Sequence, residues 1–137
     1  MNKAKALTAY LAEREPAPFD WRTANCLHFA GGFVALVEPA DPLAGVEMPA
    51  TLAAARRRQA RGGGLQAIVT AQLAREPIVS PLFAQVGDVV LLPLDETDNQ
   101  ALAVGICCGE QAVCTTEDGS LTYHPMGNAI AAWRIGA

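Results

Sequence analysis

"PIVSPLFAQVGDVVLLPL", Pro77 to Leu94, is the stretch where the sequence changes its period. Before it, apolar residues recur every three or four positions; from it onward they come in short runs rich in Val, Ile and Leu, bounded by Pro, Gly and Asp. Reading forward, strands are expected at "VVLLPL" (89–94), "ALAVGICC" (101–108), "AVCTT" (112–116), "LTYHP" (121–125) and "AAWRIG" (131–136), with a hairpin-type turn at "EDGS" (117–120). Reading backward, Ala4, Leu7, Tyr10 and Leu11 give a first helix one apolar face, and Pro16 and Pro18 end it. In "TANCLHFAGGFVALVE" (23–38), Thr23 or Asn25 can serve as N-cap to a second helix whose apolar stripe is Cys26, Phe29, Ala30, Phe33, Leu36 and Val37. Gly31 and Gly32 each weaken that helix by about 1 kcal/mol, so another backbone is expected to pack closely there. A third helix, "PATLAAARRRQAR" (49–61), opens on Pro49 and is closed by the glycines at 62–64; a fourth follows at "LQAIVTAQLARE" (65–76).

Helices first and an antiparallel sheet second define an α+β domain. One domain spans 1–137: an N-terminal helix (1–17), a helical half (23–76) and an antiparallel-sheet half (77–137) of about five strands. With 137 residues, 51% of them hydrophobic, the chain can bury roughly two-thirds of its unfolded surface without staples. The net charge of −4 argues against a nucleic-acid partner, because phosphate binding needs a concentrated positive field. The one basic cluster, Arg56 to Arg61, suits the last turn of a helix, where cations oppose the dipole. The opening "MNKAKALTAYLAERE" has no long apolar run of a signal peptide, and no stretch reaches the ~18 apolar residues of a membrane span. A soluble protein made in a cytoplasm is therefore expected. Its four cysteines, Cys26, Cys107, Cys108 and Cys114, read as thiols before they read as disulfides.

Cys26 is the candidate nucleophile, since a helix N-terminus favours a thiolate. Its competing role is that of a small core residue on the stripe with Phe29 and Phe33. A nucleophile needs a base, and the chain has two histidines. His28, two residues along the same helix, diverges from Cys26 by about 200°. His124, at the end of the "LTYHP" strand, is the remaining candidate, provided its strand packs over the Cys26 end. Cys107 and Cys108 are strand neighbours and face opposite ways, so they do not easily share a metal with Cys114. Asp88, Asp95, Glu96 and Asp98 fit turns rather than a calcium loop. Neither a metal nor a cofactor is expected.

In order and spacing, "WRTANCLHFAGGFV" (21–34), "QVGDVVLL" (85–92) and "AVGIC" (103–107) resemble the NlpC-type cell-wall peptidases, which have a compact papain-like fold. In that family an Asp-Cys-Ser-Gly helix start carries the nucleophile, a Pro-Gly-Asp turn precedes the first core strand, and a His-Val-Gly-Ile strand supplies the base. The whole sequence looks more closely like a phage-encoded branch of that fold found among tail genes, on the strength of "PFDW", "NC", "GDVVLL", "EDGSLTYHP" and "AAWRI". The resemblance places Cys26 at the nucleophile position and Ala103 at the position of the base, where no proton can be accepted. Asn25, Leu27 and His28 depart from the motif around the nucleophile.

The resemblance implies a tail-tip or baseplate component of a long-tailed phage or phage-like particle, located in the virion and made in the host cytoplasm. Such a component uses a degenerate peptidase fold as an interaction module, with other tail proteins as partners. The alternative is a cysteine endopeptidase or amidase acting on peptidoglycan stem peptides, with Cys26 as nucleophile and His124 as base.

Overall fold

The computed structural model describes residues 3–13, 26–38, 64–93, 102–115 and 121–136. Within them the chain forms three helices, α1 (Lys3–Glu13), α2 (Cys26–Val37) and α3 (Leu65–Leu73). Five strands follow: β1 (Val89–Pro93), β2 (Leu102–Cys107), β3 (Gln111–Thr115), β4 (Leu121–Pro125) and β5 (Ala131–Trp133). The helix expected at 49–61 and the "EDGS" turn lie outside the described residues. The architecture is α+β: helices from the first half, one antiparallel sheet from the second.

The strands pair in the order β4-β3-β2-β1-β5, every pair antiparallel. β1 to β4 form a meander, and β5 returns to the free side of β1, setting Trp133 opposite Val89. The β2–β3 turn is tight, with Cys108 N–H donating to Gln111 C=O at 2.7 Å. Gly105, mid-strand in β2, is dictated by packing: a Cβ there would stand 2.6 Å from the Val113 carbonyl oxygen. A backbone atom held in the sheet cannot give way by that much.

Because successive strand residues point to opposite faces, the sheet has two distinct apolar surfaces. Val89, Leu91, Val104, Ile106, Val113, Ala131 and Trp133 form one, against which Leu7 of α1, Phe29, Ala30, Phe33 and Val34 of α2, and Leu65, Val69 and Leu73 of α3 are buried. Val90, Leu92, Ala103, Cys107, Ala112, Cys114 and Ala132 form the other, covered by Met126 and by Ile78, Ala84 and Ala129. The burial of Phe29, Phe33 and Trp133 contributes about 1.5–3 kcal/mol each.

The α2 stripe is rotated from the sequence expectation. Val34 is buried while Leu36 is 59% exposed, because 29, 30, 33, 34 and 37 follow the helical period and 36 lies about 100° off it. The neighbour at Gly32 is a side chain, not a backbone. The Tyr10 hydroxyl donates to Phe29 C=O at 2.8 Å and would meet a Gly32 Cβ at that same distance. Its ring packs against both Phe29 and Phe33, at centroid separations of 5.6 Å.

Candidate functional site

Cys26 is the first residue of α2, the helix position at which an anion is most favoured. The sheet surface facing that helix is one source of the base that a thiol nucleophile needs. On β2 the residues turned toward the helices are Leu102, Val104 and Ile106. Ala103 is 2% exposed and packs on the other surface with Val90 and Leu92. Whichever register is used to carry a His-Val-Gly-Ile pattern onto this strand, an aliphatic side chain stands where a base would.

The remaining strands give the same answer. β3 turns Val113 toward α2, with Gln111 and Thr115 sharing that face by alternation. β4 presents Leu121, Tyr123 and Pro125, and β1 and β5 present Val89, Leu91, Ala131 and Trp133. Among the described strand residues, the helix-facing surface carries neither an imidazole nor a carboxylate.

His124 pairs across the sheet with Ala112, on the opposite surface. Its Nε2 lies 3.2 Å from Thr122 Oγ1, which lies 3.5 Å from Cys114 Sγ. The imidazole therefore ends a short polar chain on the side of the sheet away from α2, and the structure does not bring it to the helix.

The thiols on the sheet are held protonated. Burial pushes Cys107 and Cys114 upward, and burial together with the adjoining Cys107 pushes Cys108 up to about 11. Cys107 lies in the cluster with Ala112 and Cys114, whereas Cys108 packs against the helix-side core, the divergence expected of strand neighbours. Among the described residues, no group of three His, Cys, Asp or Glu side chains is placed to hold a metal ion.

Among the described residues, the most elaborate polar arrangement surrounds Asp88, in the turn before β1. The carboxylate is fully buried. Oδ1 accepts from Lys3 Nζ at 2.6 Å and from Ile135 N–H at 3.0 Å, while Oδ2 accepts from Gln85 N–H at 2.7 Å. Arg134 Nε stands 3.1 Å from Oδ2 as an ionic contact without hydrogen-bond alignment. Gly87 makes room for this: its φ is +97°, and a Cβ would lie 2.9 Å from Lys3 Cγ. Those three hydrogen bonds make the Asp88 carboxylate a structural clasp that joins α1, the turn before β1 and the segment after β5.

Sequence reading assigned Asp88 to a turn and missed the clasp. The available hint was Lys3, which shares a helix face with the core residue Leu7 by its i, i+4 spacing. A second clasp ties α2 to the same end: Glu38 takes both Arg75 amino groups, at 2.6 and 2.7 Å, and accepts from Gly136 N–H at 2.8 Å. Those hydrogen bonds from Arg75 hold the Glu38 carboxyl below its ordinary value. An open hollow of about 500 Å³ on α3, lined by Gln66, Thr70 and Glu76, carries a single ionisable side chain and no nucleophile paired with a base.

Fold and site together define an α+β domain with helices layered on one face of an antiparallel sheet and, among the described strand residues, no imidazole or carboxylate on the surface that faces them. The chain belongs to the family described as "Domain of unknown function (DUF6950)", whose model matches residues 2–135. No curated protein matches it. Among the described residues no helix is long and apolar enough to cross a membrane.

Proposed function

We propose that this protein is a structural or assembly component of the tail tip or baseplate of a long-tailed phage or phage-like particle. In this reading it has a papain-like, NlpC-type fold that serves as an interaction module and not as a hydrolase. The phage assignment rests on the sequence resemblance; the non-catalytic role rests on one structural observation. The sheet surface facing α2 presents aliphatic, aromatic and amide or hydroxyl side chains where a general base belongs. A missing base removes a contribution of typically 10²- to 10⁴-fold from a thiol nucleophile.

The competing reading is a cysteine endopeptidase or amidase on peptidoglycan stem peptides. It draws on Cys26 being the first residue of α2, and it has to find its base outside the described strands. Two measurements separate the readings. The first is recovery of the protein with the tail fraction of particles purified from the bacterium that encodes it. The second is digestion of muropeptides by wild type and by Cys26→Ala. Recovery with tails and no Cys26-dependent cleavage is expected. Cleavage by wild type that Cys26→Ala abolishes would overturn the non-catalytic role, and absence from the tail fraction would overturn the assignment to tails.

A further inference from the structure

Asp88 stands between two cations that it does not hold in the same way. Its carboxylate offers about four acceptor directions, and three are taken: Lys3 Nζ and Ile135 N–H bond to Oδ1, and Gln85 N–H bonds to Oδ2. The fourth belongs to Oδ2, and Arg134 Nε stands 3.1 Å from that atom. Yet Arg134 Nε is buried without a hydrogen-bond partner. The bond is unmade although both its ends are within reach.

Two contacts keep the guanidinium off line. Arg134 Nη2 donates to Phe83 C=O at 2.9 Å, and the Arg134 carbonyl accepts from Arg75 Nη1 at 2.7 Å. The side chain is tied at its far end to the segment before β1, and its backbone to the Glu38–Arg75 clasp. A buried N–H left without a partner costs stability, so a conformation that aligns it gains what this one forgoes.

That conformation is the one without Lys3. Lys3 is the first residue of α1, and Leu7 alone of the helix's eleven residues is fully buried. A helix of that length is marginal in water by itself, so α1 is ordered by its docking and leaves as a unit. Withdrawal of a sole counter-ion would strand a buried carboxylate, which is strongly destabilising. Here Arg134 has only to turn to replace it. The N–H groups of Ile135 and Gln85 stay in place, because neither belongs to α1.

We propose that α1 is a releasable strap and Arg134 the reserve counter-ion of Asp88: when α1 opens and withdraws Lys3, Arg134 Nε aligns on Oδ2 and keeps the buried charge paired. Opening lifts Leu7 out of the helix-side core and Tyr10 off the rings of Phe29 and Phe33, while the sheet stays folded. The two cations therefore act on α1 with opposite sign. Lys3 holds it closed. Arg134 stabilises the open form more than the closed one, in which its bond is unmade.

The test is native-state hydrogen exchange of the full chain, read by mass spectrometry on peptides from α1 and from β1 to β3. In wild type, α1 is expected to exchange about tenfold faster than the sheet, or more. Lys3→Met is expected to speed α1 by a further factor of about ten and to leave the sheet within about threefold of wild type. Arg134→Met removes the reserve and is expected to slow α1 about threefold or more, a direction that loss of a merely structural contact does not give. If Arg134→Met fails to fold by circular dichroism, Lys3→Met decides: sheet protection that falls along with that of α1 means that Asp88 was left unpaired, and overturns the inference. A wild-type α1 that exchanges only together with the sheet overturns it. So does an α1 that keeps its wild-type protection in Lys3→Met, or that exchanges in Arg134→Met as fast as in wild type or faster.

Discussion

His124 stands directly across the sheet from Ala112, which is fully buried in the apolar cluster on the face away from α2. The adjoining cross-strand pair, Tyr123 and Val113, faces the helix. The strand's two-residue alternation therefore directs the imidazole away from the helix that begins at Cys26, and the hydroxyl of Thr122 takes its Nε2.

Removal of the Asp88 carboxylate leaves the buried Ile135 N–H and the Gln85 N–H without their acceptor, and leaves Lys3 Nζ, still held by the Ile135 carbonyl, without its counter-ion. Asp88→Ala is expected to cost about 3–5 kcal/mol, the range for breaking a buried ion pair by deleting one side. Urea denaturation checks it, read as a lower midpoint at constant slope.

Gly105→Ala forces a methyl onto the Val113 carbonyl and against Leu92 Cδ1 at 3.3 Å. Overpacking of this kind costs about 1–3 kcal/mol. The same denaturation experiment is expected to show that loss, with Gly127→Ala as the comparison because nothing lies within 4 Å of a Cβ there.

Glu38 supplies the pH dependence. Its folded pKa lies below the ordinary 4.5, chiefly through the Arg75 hydrogen bonds. A depressed carboxyl contributes stability that is fully present above its unfolded pKa and is lost as pH falls through the folded one. Stability is thus expected to fall below about pH 4.5, and Glu38→Gln is expected to flatten that acid limb. An unchanged acid limb in thermal melts of the variant would show that the Arg75 clasp carries none of it.

The sheet cysteines are expected to resist alkylation while the protein is folded. With Cys108 raised from 9.0 to about 11, its thiolate fraction near neutral pH falls about 100-fold. Mass spectrometry after a short iodoacetamide pulse at pH 8 is expected to find Cys107, Cys108 and Cys114 unmodified in the native protein and all modified in guanidinium.

The strands were legible because runs such as "VVLLP" and "AVGIC", punctuated by Gly and Pro, declare themselves locally. The α+β class followed from their position after the helices. Which way His124 points was not legible, because it depends on the register of β4 against β3, and a one-residue slip reverses every side chain. The same holds for Ala103, whose neighbour Val104 takes the helix-facing position. Nor does a sequence show a contact such as Lys3 to Asp88, whose partners lie 85 residues apart. The α2 face was read nearly correctly, and Leu36 misled because hydrophobicity alone does not fix the angle at which a helix meets a sheet.

The most direct measurement is the alkylation rate of Cys26 against pH, resolved by mass spectrometry, in the folded wild type and in His124→Ala. Superimposable profiles are expected, since the imidazole lies on the far side of the sheet. A thiolate that forms well below the ~8.5 of a free thiol in wild type, and reverts in His124→Ala, would contradict that placement and restore the hydrolase.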